Sequence, residues 1–408
     1  MSDDKTWMLF ESGMPYLTAF GIRGVIRGMR LAIFENIMTP GGHEVDFDRI
    51  LAEEFQRLGH DVTFYVPEGF VFSFDYNRPV HRLSGQVVSY TGVSGILKIL
   101  ASVKREINRQ RWYKQLYESG CKGEIDAIIV PTSTYRYLRA LNQNVLRRSN
   151  IPVIFILHGI NPKEAPAFIR EARKLQKYPN IRMVVLTFQD NIFGEKLPNV
   201  YPMYPPTYTA RDIDYSPAHG VGEVLTIGFF GQYRREKRLR DFLEVFVKGK
   251  YTRPVKLLVQ GSTMHPEDAE DFEAIIAEYS AEKNIEFQHK GLIGAEWQRA
   301  IAEVDALLMP YSAPRYRYHW GGMLFTAIGF QKPVVASDDI NPEVFAEYNI
   351  GETFSSGDMV ALKDTLEGFI NEFDTREPRY ASELKRASET FSPEAFAGRL
   401  EKLMLAGD

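Results

Sequence analysis

Cysteine is almost missing from this chain of 408 residues. Cys121 stands alone, which excludes an intramolecular disulfide and any metal site built on clustered cysteines. A lone thiol fits a reducing compartment. Surplus positive charge is missing too. Lys plus Arg number 49 against 53 Asp plus Glu, a net charge of −4. Dedicated nucleic-acid binders are usually basic, so no nucleic-acid partner is expected. No apolar run reaches the ~20 residues that span a bilayer. The longest uncharged stretch near the start, Ser12 to Ile22, is too short, and Asp3, Asp4, Lys5 and Glu11 do not fit a secretory signal. Repeats of short period and low-complexity tracts are also absent. The remainder is ordinary for a globular protein, with 44% hydrophobic and 25% charged residues. The length predicts two or three domains, each able to bury a core. A cytoplasmic protein is the expectation.

From Met29 the pattern alternates strand and helix. Leu31–Phe34 reads as a buried strand and is followed by the loop Pro40-Gly41-Gly42-His43. Val45, Phe47, Ile50, Leu51, Phe55 and Leu58 recur at helical spacing, Gly59 stops that helix, and Val62–Val66 is the next strand. Strand, glycine loop, helix and strand make a βαβ unit and imply a parallel sheet covered by helices. Ile125–Val130, Val153–Leu157 and Met183–Leu186 are further strands. Tyr201 to Gly222 carries four prolines and reads as a linker, since proline lacks an amide donor and fixes its own φ. A second series follows it, with strands at Val224–Phe230, Val255–Val259, Ile285–Phe287, Ala306–Met309 and Pro333–Ala336. The predicted division is an extension at 1–29, a first α/β domain at 30–205, a linker at 206–222, a second α/β domain at 223–390 and a last helix at 391–408. Two such domains should face each other across a cleft, because ligands of open parallel sheets bind beyond the carboxyl ends of the strands.

Four places carry candidate chemistry. Gly231-Gln232 follows a strand, and Arg234, Arg235 and Lys237 precede the helix that starts at Leu239. A glycine turn with basic side chains at a helix start favours phosphate. Gly321-Gly322 opens the apolar helix Met323–Phe330, after a loop crowded with Arg315, Tyr316, Arg317, Tyr318, His319 and Trp320. There the double glycine lets backbone approach a ligand, and the helix start offers N–H groups to an anion. His158-Gly159 ends a strand in the first domain, and Gly41-Gly42 can bring backbone close to a ligand. The adjacent Asp338 and Asp339 read as a turn or cap and not as a metal pair, and no metal or cofactor is expected.

In that order and spacing these motifs resemble the GT-B glycosyltransferases, in particular the large retaining family that includes sucrose synthases and phosphatidylinositol mannosyltransferases. The resemblance covers about 30–400. It rests on Gly41-Gly42-His43-Glu44 with Leu58-Gly59-His60-Asp61-Val62, on His158-Gly159, on Gly231 to Lys237, on Gly261, Gly291, Asp305 and Pro310, and on Lys332 to Ser337. It implies two Rossmann-like domains and transfer of a sugar from a nucleotide diphosphate sugar to a glycan, glycolipid or small-molecule acceptor, without a metal and with retention. Lys237, with Arg234 or Arg235, would bind the diphosphate, the Gly321-Gly322 helix start would hold its oxygens, and His158 would touch the donor sugar. The chain departs from the family at Gln232, where an arginine is usual. It also departs at Tyr318 and Thr326, where the family places a glutamate pair that touches the sugar and the ribose; here Tyr318 would hydrogen-bond or stack on the sugar and Thr326 would offer a hydroxyl. Glu343 matches a family glutamate near the nucleotide.

The lost glutamates leave two rival readings: a non-catalytic nucleotide-sugar binder or scaffold, and a nucleotide-sugar epimerase. A basic amphipathic helix over Ile96–Tyr117 carries Lys98, Lys104, Arg105, Arg109, Arg111 and Lys114. It reads either as a contact with the inner membrane surface or as a charged outer helix. The aromatic extension at 1–29 reads either as a coat for a partner or lipid surface or as an arm packed on its own domain.

Overall fold

The computed structural model describes residues 28–38, 43–88, 95–188, 194–208, 223–311 and 314–406. Gly41, Gly42, the extension up to residue 27 and most of the expected linker lie outside these residues.

The first half builds β1 (Arg30–Phe34), α1 (His43–Arg57), β2 (Asp61–Glu68), β3 (Val80–Gln86), α2 (Gly95–Cys121), β4 (Ala127–Val130), α3 (Tyr135–Leu141), β5 (Val153–Leu157), α4 (Ala165–Leu175), β6 (Ile181–Leu186) and β7 (Val200–Met203). The second half builds β8 (Leu225–Phe229), α5 (Leu239–Lys248), β9 (Val255–Gly261), α6 (Pro266–Glu278), β10 (Ile285–His289), α7 (Ala295–Ala302), β11 (Ala306–Met309), α8 (Gly322–Gly329), β12 (Val334–Ser337), α9 (Pro342–Glu347) and β13 (Gly351–Phe354). Then come α10 (Met359–Asn371), α11 (Phe373–Thr390) and α12 (Pro393–Leu405).

Two parallel sheets result, of seven strands in the order β3-β2-β1-β4-β5-β6-β7 and six in the order β10-β9-β8-β11-β12-β13. Both are doubly wound, and the order reverses between β1 and β4 and between β8 and β11. A crevice opens at each reversal, where the flanking connections leave toward opposite faces. The central strands β1, β4, β5, β6, β11 and β12 are almost wholly buried, as their continuous apolar runs demand.

The proline-rich stretch does not begin as a linker. Val200–Met203 is an edge strand beside β6, and Pro202 is tolerated there because an edge strand need not donate on its outer side. The basic helix also differs from expectation. Arg109 is buried, with its guanidinium over the Tyr137 ring at 4.2 Å and on Glu106 at 2.7 Å, and Trp112 and Leu116 belong to the core. Among the described side chains of α2, Ile99, Leu100, Val103 and Ile107 are large apolar residues left exposed.

The last helix returns to the first half of the chain. Phe396 meets Phe47 of α1 at 5.7 Å, Arg57 pairs with Glu394 at 2.8 Å, and the buried His60 ring meets Glu401 at 3.0 Å. One buried apolar cluster runs from α1 through Tyr208, Trp320 and Phe325 into the second sheet, so the halves share a core.

Candidate functional site

Between the sheets lies a cleft of about 630 Å³, bordered by the carboxyl ends of strands from both. On the second-sheet side Gly231 follows β8 with φ +106°, a conformation that favours glycine. Its N–H donates to the Gln260 side chain at 3.0 Å, and Gln260 is itself buried at the end of β9. The chain then makes a short 3₁₀ turn over Arg235–Lys237, and Arg238 takes a left-handed φ of +55° before α5. Lys237 is 7% exposed and faces the cleft. Its ammonium stands 4.6 Å from the centre of the Tyr311 ring and 5.6 Å from that of Phe229. Aromatic faces hold a desolvated cation in one place. A Cβ built on Gly231 would lie 3.6 Å from that ammonium, so loop and lysine form one unit.

Arg234 lines the cleft beside Lys237, with its guanidinium 3.2 Å from the Gln232 side-chain oxygen. Gln232 also lines it. Arg235 does not. Its guanidinium donates to the Glu267 carbonyl at 2.6 Å and lies 3.8 Å from Asp271, on the α6 side.

Gly321 and Gly322 border the same cleft at the start of α8. The Gly321 N–H is held by the Asn341 side chain at 3.1 Å. Thr326 lines the cleft but is 3% exposed, and its hydroxyl donates to the Gly322 carbonyl at 2.9 Å. Tyr318 is not in the lining and occupies a neighbouring crevice with Phe188, Pro205 and Glu343. Glu343 pairs with Arg317 at 2.9 and 3.0 Å, also outside the cleft. His319, between Tyr318 and the glycines, borders both that crevice and the cleft.

The first half supplies the other wall. His158 leaves β5 with its ring edge-to-face between Phe47 at 4.8 Å and Trp320 at 5.2 Å. Its Nε2 lies 2.9 Å from the Pro131 carbonyl. A carbonyl only accepts, so that nitrogen carries the hydrogen. The His158 carbonyl accepts the Trp320 N–H at 3.2 Å, and Gly159 pairs with His319 in an antiparallel bridge. Gly159 has φ +106°, and a Cβ there would fall 2.3 Å from the Tyr318 carbonyl oxygen. The two walls therefore meet backbone to backbone at this point.

Glu44 and Gly291, two of the residues that carry the resemblance, line the cleft, and so do Gln260, Thr132 to Tyr135, Asp46, and Leu292 to Gly294 with Trp297, which sequence reasoning did not single out. Most of them follow the ends of β4, β9 and β10, so the strand-end rule could have found them. Asp338 and Asp339 accept from the backbone N–H and hydroxyl of Ser356 at 2.8 and 2.6 Å, in the turn that precedes α10.

No protein-family model matches the chain, and no curated protein matches it in sequence. Solved structures do match over almost its whole length. HepE (Alr3699) of Anabaena, bound to UDP and glucose, is 15% identical with a TM-score of 0.65, over 92% of this chain and 98% of that one. A glycosyltransferase of Rickettsia africae is 12% identical with a TM-score of 0.68, over 93% and 100%. WaaG, a glycosyltransferase of lipopolysaccharide biosynthesis, is 14% identical with a TM-score of 0.61, over 92% and 100%. The fold is GT-B. The expected two Rossmann-like sheets facing a cleft are therefore present, and the Gly231–Lys237 loop sits at the GT-B cleft in the position described above.

Proposed function

We propose that the chain is a glycosyltransferase that moves a sugar from a nucleotide diphosphate sugar to an acceptor hydroxyl. The observation that carries this reading is Lys237, buried in the cleft beside the Gly231 turn and bordering the same space as the Gly321-Gly322 helix start. Departure of the sugar leaves negative charge on the diphosphate. Fixed cations and amides stabilise that charge with no reorganisation during the step. Lys237 and Arg234 meet it here, and Arg235 stays on the outer face as a support for α6. The α8 start and the Gly231-Gln232 backbone approach the phosphates, and Thr326 offers its hydroxyl oxygen. His158 borders the sugar from the first domain. Acceptor oxygen bonds to the anomeric carbon as the phosphate oxygen leaves, and that leaving oxygen takes the acceptor proton. Attack and departure on one face retain the configuration, and basic side chains stand where other transferases use a metal. The reading treats 30–205 as the acceptor domain, 223–390 as the nucleotide-sugar domain, and Gly41-Gly42 as substrate-binding residues.

The acceptor reading includes a peripheral contact with an anionic inner membrane surface. Its support is the exposed Ile99, Leu100, Val103 and Ile107 of α2 beside Lys104, Arg111 and Lys114. Among the described residues no helix is long and apolar enough to cross a membrane.

Release of nucleoside diphosphate from UDP-glucose, ADP-glucose and GDP-mannose tests the reading, with UDP sugars first because the similar HepE structure holds UDP. Turnover of one of them that falls at least about a hundredfold in Lys237→Ala is expected. Tight binding without turnover would favour the second reading, a nucleotide-sugar binder. That reading draws on the absence of carboxylates at 318 and 326.

A further inference from the structure

We propose that His319, and not residue 318, is the side chain of the second domain that contacts the donor sugar. This rests on the transferase reading and specifies its sugar site. The family resemblance assigns the sugar contact to position 318, but in this chain Tyr318 lies in the neighbouring crevice beside Glu343 and Phe188. His319 borders that crevice too, but unlike Tyr318 it also borders the cleft, together with His158 and Lys237.

The backbone explains why position 319 is held there. His319 pairs with Gly159 in an antiparallel bridge, and the next N–H, that of Trp320, donates to the His158 carbonyl at 3.2 Å. Only a glycine at 159 admits this approach, since a Cβ would stand 2.7 Å from the His319 Cα. Both histidines thus stand at one seam, one from each wall, with the phosphate lysine on the same cleft.

The chemistry of the exchange is specific. A carboxylate only accepts hydrogen bonds, whereas an imidazole can donate from one nitrogen and accept at the other. A sugar hydroxyl does both, so a histidine can read it in either sense. Removing a carboxylate from beside the departing diphosphate also removes a like charge from the place where negative charge grows. His319 is therefore a specificity-determining contact, and its loss should fall on the sugar and not on the nucleotide.

Calorimetric titration of the full chain with UDP and UDP-glucose, ADP and ADP-glucose, and GDP and GDP-mannose tests this. The readout is the ratio of the nucleotide-sugar Kd to the nucleoside-diphosphate Kd. For the pair that binds, His319→Ala should raise this ratio about tenfold and leave the nucleoside-diphosphate Kd within about twofold, the loss of one hydrogen-bonding contact. His319→Asn, which keeps a donor and an acceptor, should recover part of the ratio. The Gly159 bridge uses backbone atoms, so both variants keep it, and an unchanged thermal midpoint reports that. A ratio unchanged in His319→Ala overturns the inference, as does equal weakening of nucleotide and nucleotide sugar. A rise in the ratio produced by Tyr318→Phe and not by His319→Ala overturns it as well. If none of the six compounds binds the unaltered chain, the transferase reading fails first and this inference falls with it.

Discussion

At the scale of single residues, Lys237 and Gly159 make the sharpest demands. Lys237 sits 7% exposed, on two aromatic rings, at a loop whose glycine leaves room for it. Lys237→Met keeps the aliphatic bulk and removes the charge. We expect nucleoside-diphosphate affinity to fall about a hundredfold, the scale of a desolvated charge pair, while the thermal midpoint moves little. Calorimetry and thermal unfolding of the same preparation check both halves. Gly159→Ala should do the reverse and act on the fold. Its φ is +106° and the added methyl meets the Tyr318 carbonyl, so a loss of about 2 kcal/mol or more in urea unfolding is expected. Lys237 was legible because a glycine turn before a basic helix start is a local pattern. His319 was not legible as a site residue. Which of residues 318 and 319 faces the cleft is decided by a bridge to Gly159, distant in sequence.

At the scale of elements, the central strands were readable and three of the four edge strands were not, β10 being the exception. β1, β5, β11 and α12 fall where the apolar pattern puts them, since strands buried on both faces leave unbroken runs. β3, β7 and β13 escaped, and each is an outermost strand of its sheet. β3 alternates exposed and buried residues, and β7 and β13 bury little, so none leaves an apolar run. The last helix shows a second limit. Its apolar side was legible, but its partner α1 lies more than three hundred residues earlier. Phe396 is wholly buried against Phe47. Phe396→Ala should cost about 3–5 kcal/mol in urea unfolding. On α2, Val103→Ser with Ile107→Ser should weaken flotation with anionic liposomes and leave nucleotide binding intact. Equal flotation of the double variant would remove the membrane contact from the account.

At the scale of the whole molecule, a buried acidic pair ties stability to pH. Glu35 and Asp48 are 3% and 4% exposed, at the end of β1 and on α1. Burial pushes the Glu35 carboxyl up to about 8, against the pull of the Asn36 and Ile37 amides. Burial also pushes Asp48 well above the carboxylate range, with Glu35 and Glu44 adding like charge. The folded chain then holds protons that the unfolded chain has released. Stability from this pair is complete below the ordinary carboxylate range and falls as pH rises toward 8. Glu35→Gln, whose side-chain oxygen can still accept from the two amides, should gain on the wild type between pH 5 and pH 8 in urea midpoint. A constant difference across that range would contradict this. The account as a whole rests on a cationic cleft that receives a diphosphate. The most direct measurement is a calorimetric titration of wild type and Lys237→Met with UDP, ADP and GDP. One nucleotide binding the wild type at one site per chain, and about a hundredfold more weakly after the substitution, is the predicted result. Equal affinity in both proteins, or no binding to the wild type, would contradict it.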